Sequence, residues 1–217
     1  MSLWLLLACA GDPQDTGPAP PRATVHLDWV DHPGTWTTAL GWTVTLDQGW
    51  LVSLGAELLA CTTDALDKAH GNAVAAHLHS PHVEALHDPV DQVMGTLVMD
   101  GTALCTALWH VGRPTAADDV ADLPTGVDLV GLGLSLYLRG VAEHPDHAAL
   151  EFEGGSAAEG GNELALEEPV GDQDLDLHVV RDPAGLFEGI DFAAGTGGEV
   201  ADAALVNLVL GSVFEVE

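Results

Sequence analysis

Alternation of apolar and polar positions runs through most of this chain and predicts strands. In residues 24–30, Val25, Leu27 and Trp29 fall on one face and Thr24, His26 and Asp28 on the other. Residues 41–46 repeat the pattern with Trp42, Val44 and Leu46, and residues 50–61 read as a longer strand, bulged at Gly55. Residues 102–111 place Cys105, Ala107 and Trp109 on one face and Leu104, Leu108 and His110 on the other. Residues 129–140 align Leu132, Leu134, Leu136 and Leu138, and residues 174–180 alternate again. Asp47-Gln48-Gly49, Asp100-Gly101 and Pro124-Thr125-Gly126 are turn signals between these runs. Short strands at this spacing predict a mainly β chain, a β-sandwich or barrel, of which an antiparallel, immunoglobulin-like β-sandwich is the preferred form.

Helix signals are few. Ser80-Pro81 and Asp88-Pro89 each resemble an N-cap followed by proline at the first helical position, predicting short helices over 81–87 and 89–94. Residues 198–212 carry Val200, Ala203, Ala204, Leu205, Leu208 and Val209 at helical spacing, and Gly211 can stop that helix. The final VFEVE reads as a returning strand. A loop-like stretch, Gly154 to Asn162, marks a possible subdivision near 141–162 within one sandwich-like domain over 23–217.

The N-terminus changes the picture of where the chain works. A short apolar run ends in Leu6-Leu7-Ala8-Cys9, which resembles a bacterial lipoprotein signal in residues 1–9 with Cys9 as the lipidated residue. Residues 10–22 are rich in Pro, Gly, Asp and Thr and read as a flexible tether. The expected location is therefore exported, lipid-anchored to the bacterial outer membrane, facing the periplasm or the cell surface. With Cys9 set aside, Cys61 and Cys105 remain as an even pair, and an oxidising compartment predicts a disulfide between them.

Charge narrows the partners. Five Lys+Arg face 34 Asp+Glu, a formal net charge of -29. Such a surface repels nucleic acid and anionic lipid head groups, so contact with a membrane is expected only through the lipid anchor. It attracts cations, although solubility alone accounts for much of such a charge. Hydrophobic residues make up 47% of the chain without an 18-residue apolar run, as in a folded, non-spanning protein.

Candidate chemistry concentrates in one place. Of eleven histidines, His70, His77, His79, His82 and His87 fall within one short tract, and His110 follows on a predicted strand. Imidazole is the commonest protein ligand for zinc, copper and nickel. On a strand, His77 and His79 point to the same side; on a helix they do not. The turn expected at Ser80-Pro81 folds His82 toward that pair. Copper or zinc is the expected cofactor, with Asp64, Asp67, Glu84, Asp88 and Asp91 as carboxylates to complete or orient the shell, and Met94 or Met99 as an axial ligand. His26, His32, His144, His147 and His178 read as surface residues, with His144-Pro-Asp-His147 a second, weaker pair.

Leu58-Leu59-Ala60-Cys61, then Ala76-His77-Leu78-His79-Ser80, then Gly101-Thr102-Ala103-Leu104-Cys105 with Trp109, resemble secreted His-rich lipoproteins of myxobacterial type over roughly residues 40–140. In plan these are similar to the methanobactin-associated periplasmic copper-binding family, whose paired Cys motifs are absent here. The resemblance implies a β-sandwich that binds copper or zinc in the periplasm, with His77 and His79 at the matching positions. Cu,Zn superoxide dismutase also combines a His-x-His strand with a disulfide, but its further spaced histidines are missing.

No G-x-S-x-G elbow, phosphate loop, dinucleotide fingerprint or H-E-x-x-H occurs, so no catalytic residue is assigned and a metal-binding role without catalysis is expected. The acidic turn 182–191 lacks the ligand spacing of a calcium loop, and Leu186 and Phe187 within it read as core residues. The alternative function is a cell-surface interaction or carbohydrate-binding module, with Trp29, Trp36, Trp42, Trp50 and Trp109 as a platform and the histidines incidental.

Overall fold

A computed structural model describes residues 19–30, 34–61, 74–118, 120 and 123–217. The chain is mainly β, two sheets packed face to face, as its alternating pattern requires. Cys9, His32, Asp64, Asp67 and His70 lie outside the described residues, as do the signal and most of the tether.

The smaller sheet has the order β11-β10-β1-β5, formed by Ser212–Val216, Leu175–Arg181, Arg22–Trp29 and Gln92–Val98. β1 and β10 run parallel, and the other pairs are antiparallel. Ala23, Val25 and Leu27 of β1 and Leu175, Leu177 and Val179 of β10 turn inward and are buried.

The larger sheet is organised by β3, an 18-residue strand, Thr43–Ala60. Along one edge β3 pairs first with β7 (Leu136–His144) and then with β6 (Leu104–Val111). Its other edge takes the two-residue β2 (Trp36–Thr37) and then β4 (Val74–Ala85). β8 (His147–Ser156) extends the sheet from β7, and β9 (Gly160–Val170) extends it from β6. Val44, Leu46, Ala56, Leu58, Ala107, Trp109, Leu136 and Leu138 face the smaller sheet across one core.

Several local expectations give way to this pairing. Asp47-Gln48-Gly49 makes no turn; β7 pairs on both sides of it, and the turn residues become a register irregularity between Leu46 and Gln48. Residues 81–87 and 89–94 are not helical, because β4 runs through Ser80-Pro81 to Ala85 and β5 begins at Gln92. Among the described residues β4 pairs with β3 alone, so Pro81 lies on a sheet edge, where a missing N–H is tolerated. Residues 129–132 form one helical turn capped by Asp128, and the strand starts only at Leu136, leaving Leu132 exposed. The stretch from Gly154 is a strand end, and β8 and β9 are joined by residues 157–159 alone.

The C-terminal helix, Gly197–Leu210, lies where its apolar spacing requires and ends at Gly211. Thr196 and Glu199 form a reciprocal capping box at its start. Val200, Ala201, Ala204, Leu205 and Leu208 are buried, and the helix packs on β8. Gly154 permits that approach: a Cβ there would fall 2.0 Å from the Gly197 backbone. Among the described residues no helix is long and apolar enough to cross a membrane.

The two sheets are also joined by charge. Arg181 continues the inward stripe of β10 and meets Glu84 of β4, Nη2 to Oε2 2.6 Å, with both side chains buried. The guanidinium lies 4.3 Å from the centroid of Trp29 and 5.6 Å from that of Trp109. Glu84 also accepts a short hydrogen bond from Ser53, whose Oγ accepts one from Trp109 Nε1 at 3.0 Å. Burial pushes the Glu84 carboxyl up and Arg181 opposes that push; burial pushes Arg181 down and Glu84 opposes it. Glu84 is therefore a core residue, on the opposite face of the sheet from His77, His79 and His110. Met94 and Met99 are core residues as well, which removes both as axial ligands. Trp36, Trp42 and Trp109 are buried and Trp29 and Trp50 half-buried, so they make no exposed platform. Leu186 and Phe187 are in the core as expected.

Replacing Arg181 with Leu leaves the Glu84 carboxylate buried without its counter-charge. The variant should lose about 3–5 kcal/mol in chemical denaturation, and adding Glu84→Leu should restore most of it.

Candidate metal centre

The larger sheet's outer face holds three of the histidines that the sequence singled out, His77, His79 and His110. Cys61 and Cys105 form the expected disulfide, which closes the β3–β6 ladder beyond Ala60. β4, β3 and β6 therefore lie side by side as three neighbouring strands. In register, Gly55 is flanked by His79 on β4 and His110 on β6, and Glu57 is flanked by His77 and Leu108. Neighbouring strands are about 4.8 Å apart, so His79 and His110 stand roughly 10 Å apart at the backbone, with no side chain between them.

That gap is built by a bulge. β3 shifts register between Ser53 and Gly55 against both neighbours. Ser53 is buried toward Glu84, whereas Leu54, Gly55 and Glu57 line an open depression of about 420 Å³ together with His77, His79 and His110. Gly55 tolerates no substituent, since a Cβ would meet the Leu78 carbonyl oxygen at 2.0 Å. Leu54 also belongs to a small apolar cluster with Val52, Val83, Leu129 and Tyr137, which the chain after β6 covers. The depression opens beside that covered patch.

Glu57 sits between two imidazoles. Its Oε1 is 3.9 Å from His77 Nε2 and its Oε2 3.6 Å from His110 Nε2. The His110 Nε2 atom is buried without a hydrogen-bond partner among the described residues. The His77 and His79 ring centroids are 6.3 Å apart. His79 Nε2 lies 2.9 Å from Asp118 Oδ1, and Asp118 Oδ2 accepts the Thr115 N–H at 2.6 Å. With Nε2 donating to Asp118, His79 keeps a lone pair on Nδ1. The hydrogen bond from His79, and then that from Thr115, hold the Asp118 carboxyl below its ordinary value. Among the described residues, no three His, Cys, Asp or Glu side chains stand arranged to hold an ion as they are.

Of the sequence candidates, the fold thus brings together His77, His79 and His110. His82 is excluded by register, because it pairs with the inward-facing Ser53 on the far side of the bulge. Its Nδ1 lies 2.8 Å from the Ser80 carbonyl oxygen. His87 packs edge-on against Trp50, with Nδ1 3.2 Å from the Gly49 backbone. Asp91 accepts the Trp29 N–H, and Asp88 is exposed. His144 and His147 pack around Trp42. Leu104 does not share the His110 face but is buried, because β6 shifts register beside Cys105. The sequence reading missed Glu57 and Asp118. Glu57 had a signal, as the only charge in the apolar run 50–61. Asp118 lies on the segment after β6 and had none.

The Asp118 contact carries a sign. Its carboxyl is depressed in the fold, so its contribution is full above the ordinary value of 3.8 and fades as pH falls through the lower, folded value. Asp118→Asn should therefore lower Tm at neutral pH, and thermal melts should show the gap from the parent protein closing in strong acid.

No protein-family model, no curated protein and no solved structure matches this chain.

Proposed function

We propose that this protein captures, stores or delivers copper or zinc in the periplasm or at the cell surface, anchored by lipid on Cys9. The observation that carries the reading is the placement of His77 and His110 against Glu57, with His79 lining the same depression over Gly55. Donor atoms around a tetrahedral zinc with ~2.0–2.1 Å bonds are about 3.3 Å apart. The Glu57–His110 and Glu57–His77 gaps, 3.6 and 3.9 Å, exceed that by a few tenths of an ångström. Small side-chain rotations close such gaps. Imidazoles with one carboxylate suit Zn(II) or Cu(II), and Asp118 orients His79 from behind. Supporting the compartment are the Leu6-Leu7-Ala8-Cys9 signal and a disulfide, which persists under oxidising conditions.

The test is bound metal on exported protein after exhaustive dialysis, measured by elemental analysis. Parent protein should carry about one equivalent more copper or zinc than His77→Ala with His79→Ala, and Glu57→Gln should weaken retention of that equivalent about 10-fold or more. Retention unchanged in the double variant would overturn the reading. Gly55→Ala should also weaken retention by displacing β4, and it should cost about 1–3 kcal/mol in stability.

A further inference from the structure

The outer face of the smaller sheet carries a second histidine cluster. The tripeptides His26-Leu27-Asp28 on β1 and Asp176-Leu177-His178 on β10 are mirror images in sequence. Strand alternation sends Leu27 and Leu177 into the core and the other four side chains outward. Because the two strands run parallel, His26 and His178 are directly paired. Their rings stack, with centroids 4.5 Å apart and planes 10° from parallel. Each ring is held by the other strand's carboxylate, His178 Nδ1 to Asp28 Oδ2 at 2.5 Å and His26 Nε2 to Asp176 Oδ1 at 3.4 Å.

These are not freely solvated surface imidazoles. The His178 Nε2 atom is buried and has no hydrogen-bond partner among the described residues. With Nδ1 donating to Asp28, that nitrogen holds a lone pair and nothing to share it with. A carboxylate behind each imidazole is the arrangement that fixes the tautomer and raises the basicity of metal-ligating histidines.

We propose that His26 and His178 form a second cation site, for a borderline divalent transition ion of the Zn(II) class. His178 Nε2 and the free nitrogen of His26 are the ligands, and Asp28 and Asp176 are the positioning carboxylates. Glu215 of β11 pairs with His178 in register and adds negative charge beside the rings. Hard ions such as Ca²⁺ are disfavoured, since they select oxygen donors. An ion shared by two imidazoles lies near the plane of each, so the rings must swing out of their stack to bind it.

The experiment uses the full chain carrying His77→Ala and His79→Ala, stripped by chelator and titrated with Zn²⁺. Bound zinc by elemental analysis should approach about one equivalent. The ring-proton resonances of His26 and His178 should shift as the stack opens. Adding His26→Gln and His178→Gln should remove that equivalent, and Asp28→Asn with Asp176→Asn should weaken it about 10–100-fold. Zinc that survives the glutamine substitutions, or that leaves both histidine spectra unmoved, would overturn the proposal. So would a failure of the starting variant to retain zinc. The first centre is already disabled in this background, so the outcome does not depend on whether that centre binds metal.

Discussion

The bulge at Ser53–Gly55 in β3 is the constraint on which the rest of the arrangement depends. One displaced residue changes which side chains face the core. Before it, Ser53 points inward to Glu84 and Trp109; after it, Glu57 points outward between His77 and His110. Without the shift, β3 would keep its earlier parity and turn Glu57 into the core and Leu58 into water, a loss of buried apolar area on top of an unpaired charge. β4 and β6 both follow the irregularity, so all three strands change register together. Gly55 permits it, because any side chain there would collide with the Leu78 carbonyl.

Directly beneath lies the one buried charge pair, among the described residues, that the sandwich closes over. Arg181 and Glu84 come from different sheets, so their meeting fixes how the sheets are placed. Desolvation makes such a pair a poor source of net stability, yet a severe penalty when broken. Its value here is as a registration device, because sliding one sheet over the other would leave both charges buried alone. The tryptophan rings flanking the guanidinium and the Ser53 hydroxyl supply part of the solvation that water no longer gives.

Much of the fold was legible in the alternation itself. β1 and β10 lie where the alternation of residues 24–30 and 174–180 predicted, and the C-terminal helix runs to Gly211 as its spacing required. The misreadings share a cause. Asp47-Gln48-Gly49, Ser80-Pro81 and Gly154 are locally turn-like or helix-starting, and each was absorbed by a strand because long-range pairing outweighed a weak local preference. Pro81 stayed in a strand because β4 is an edge, a property of sheet order that no local window contains.

By itself the sequence determined the strand-rich class, the disulfide partners, the strongly acidic surface, and the pairing of His77 with His79 on one face. These follow from composition and from the two-residue period of a strand, which are local properties. Tertiary structure alone decided which distant residues join them. It added His110 and Glu57 to His77 and His79, turned His82 to the other face, and withdrew Glu84, Met94 and Met99 into the core. It also brought the matching His26 and His178 together across parallel strands separated by most of the chain. Such neighbours are set by strand order, register and a single bulge, and these arise from the packing of the whole core rather than from any segment within it.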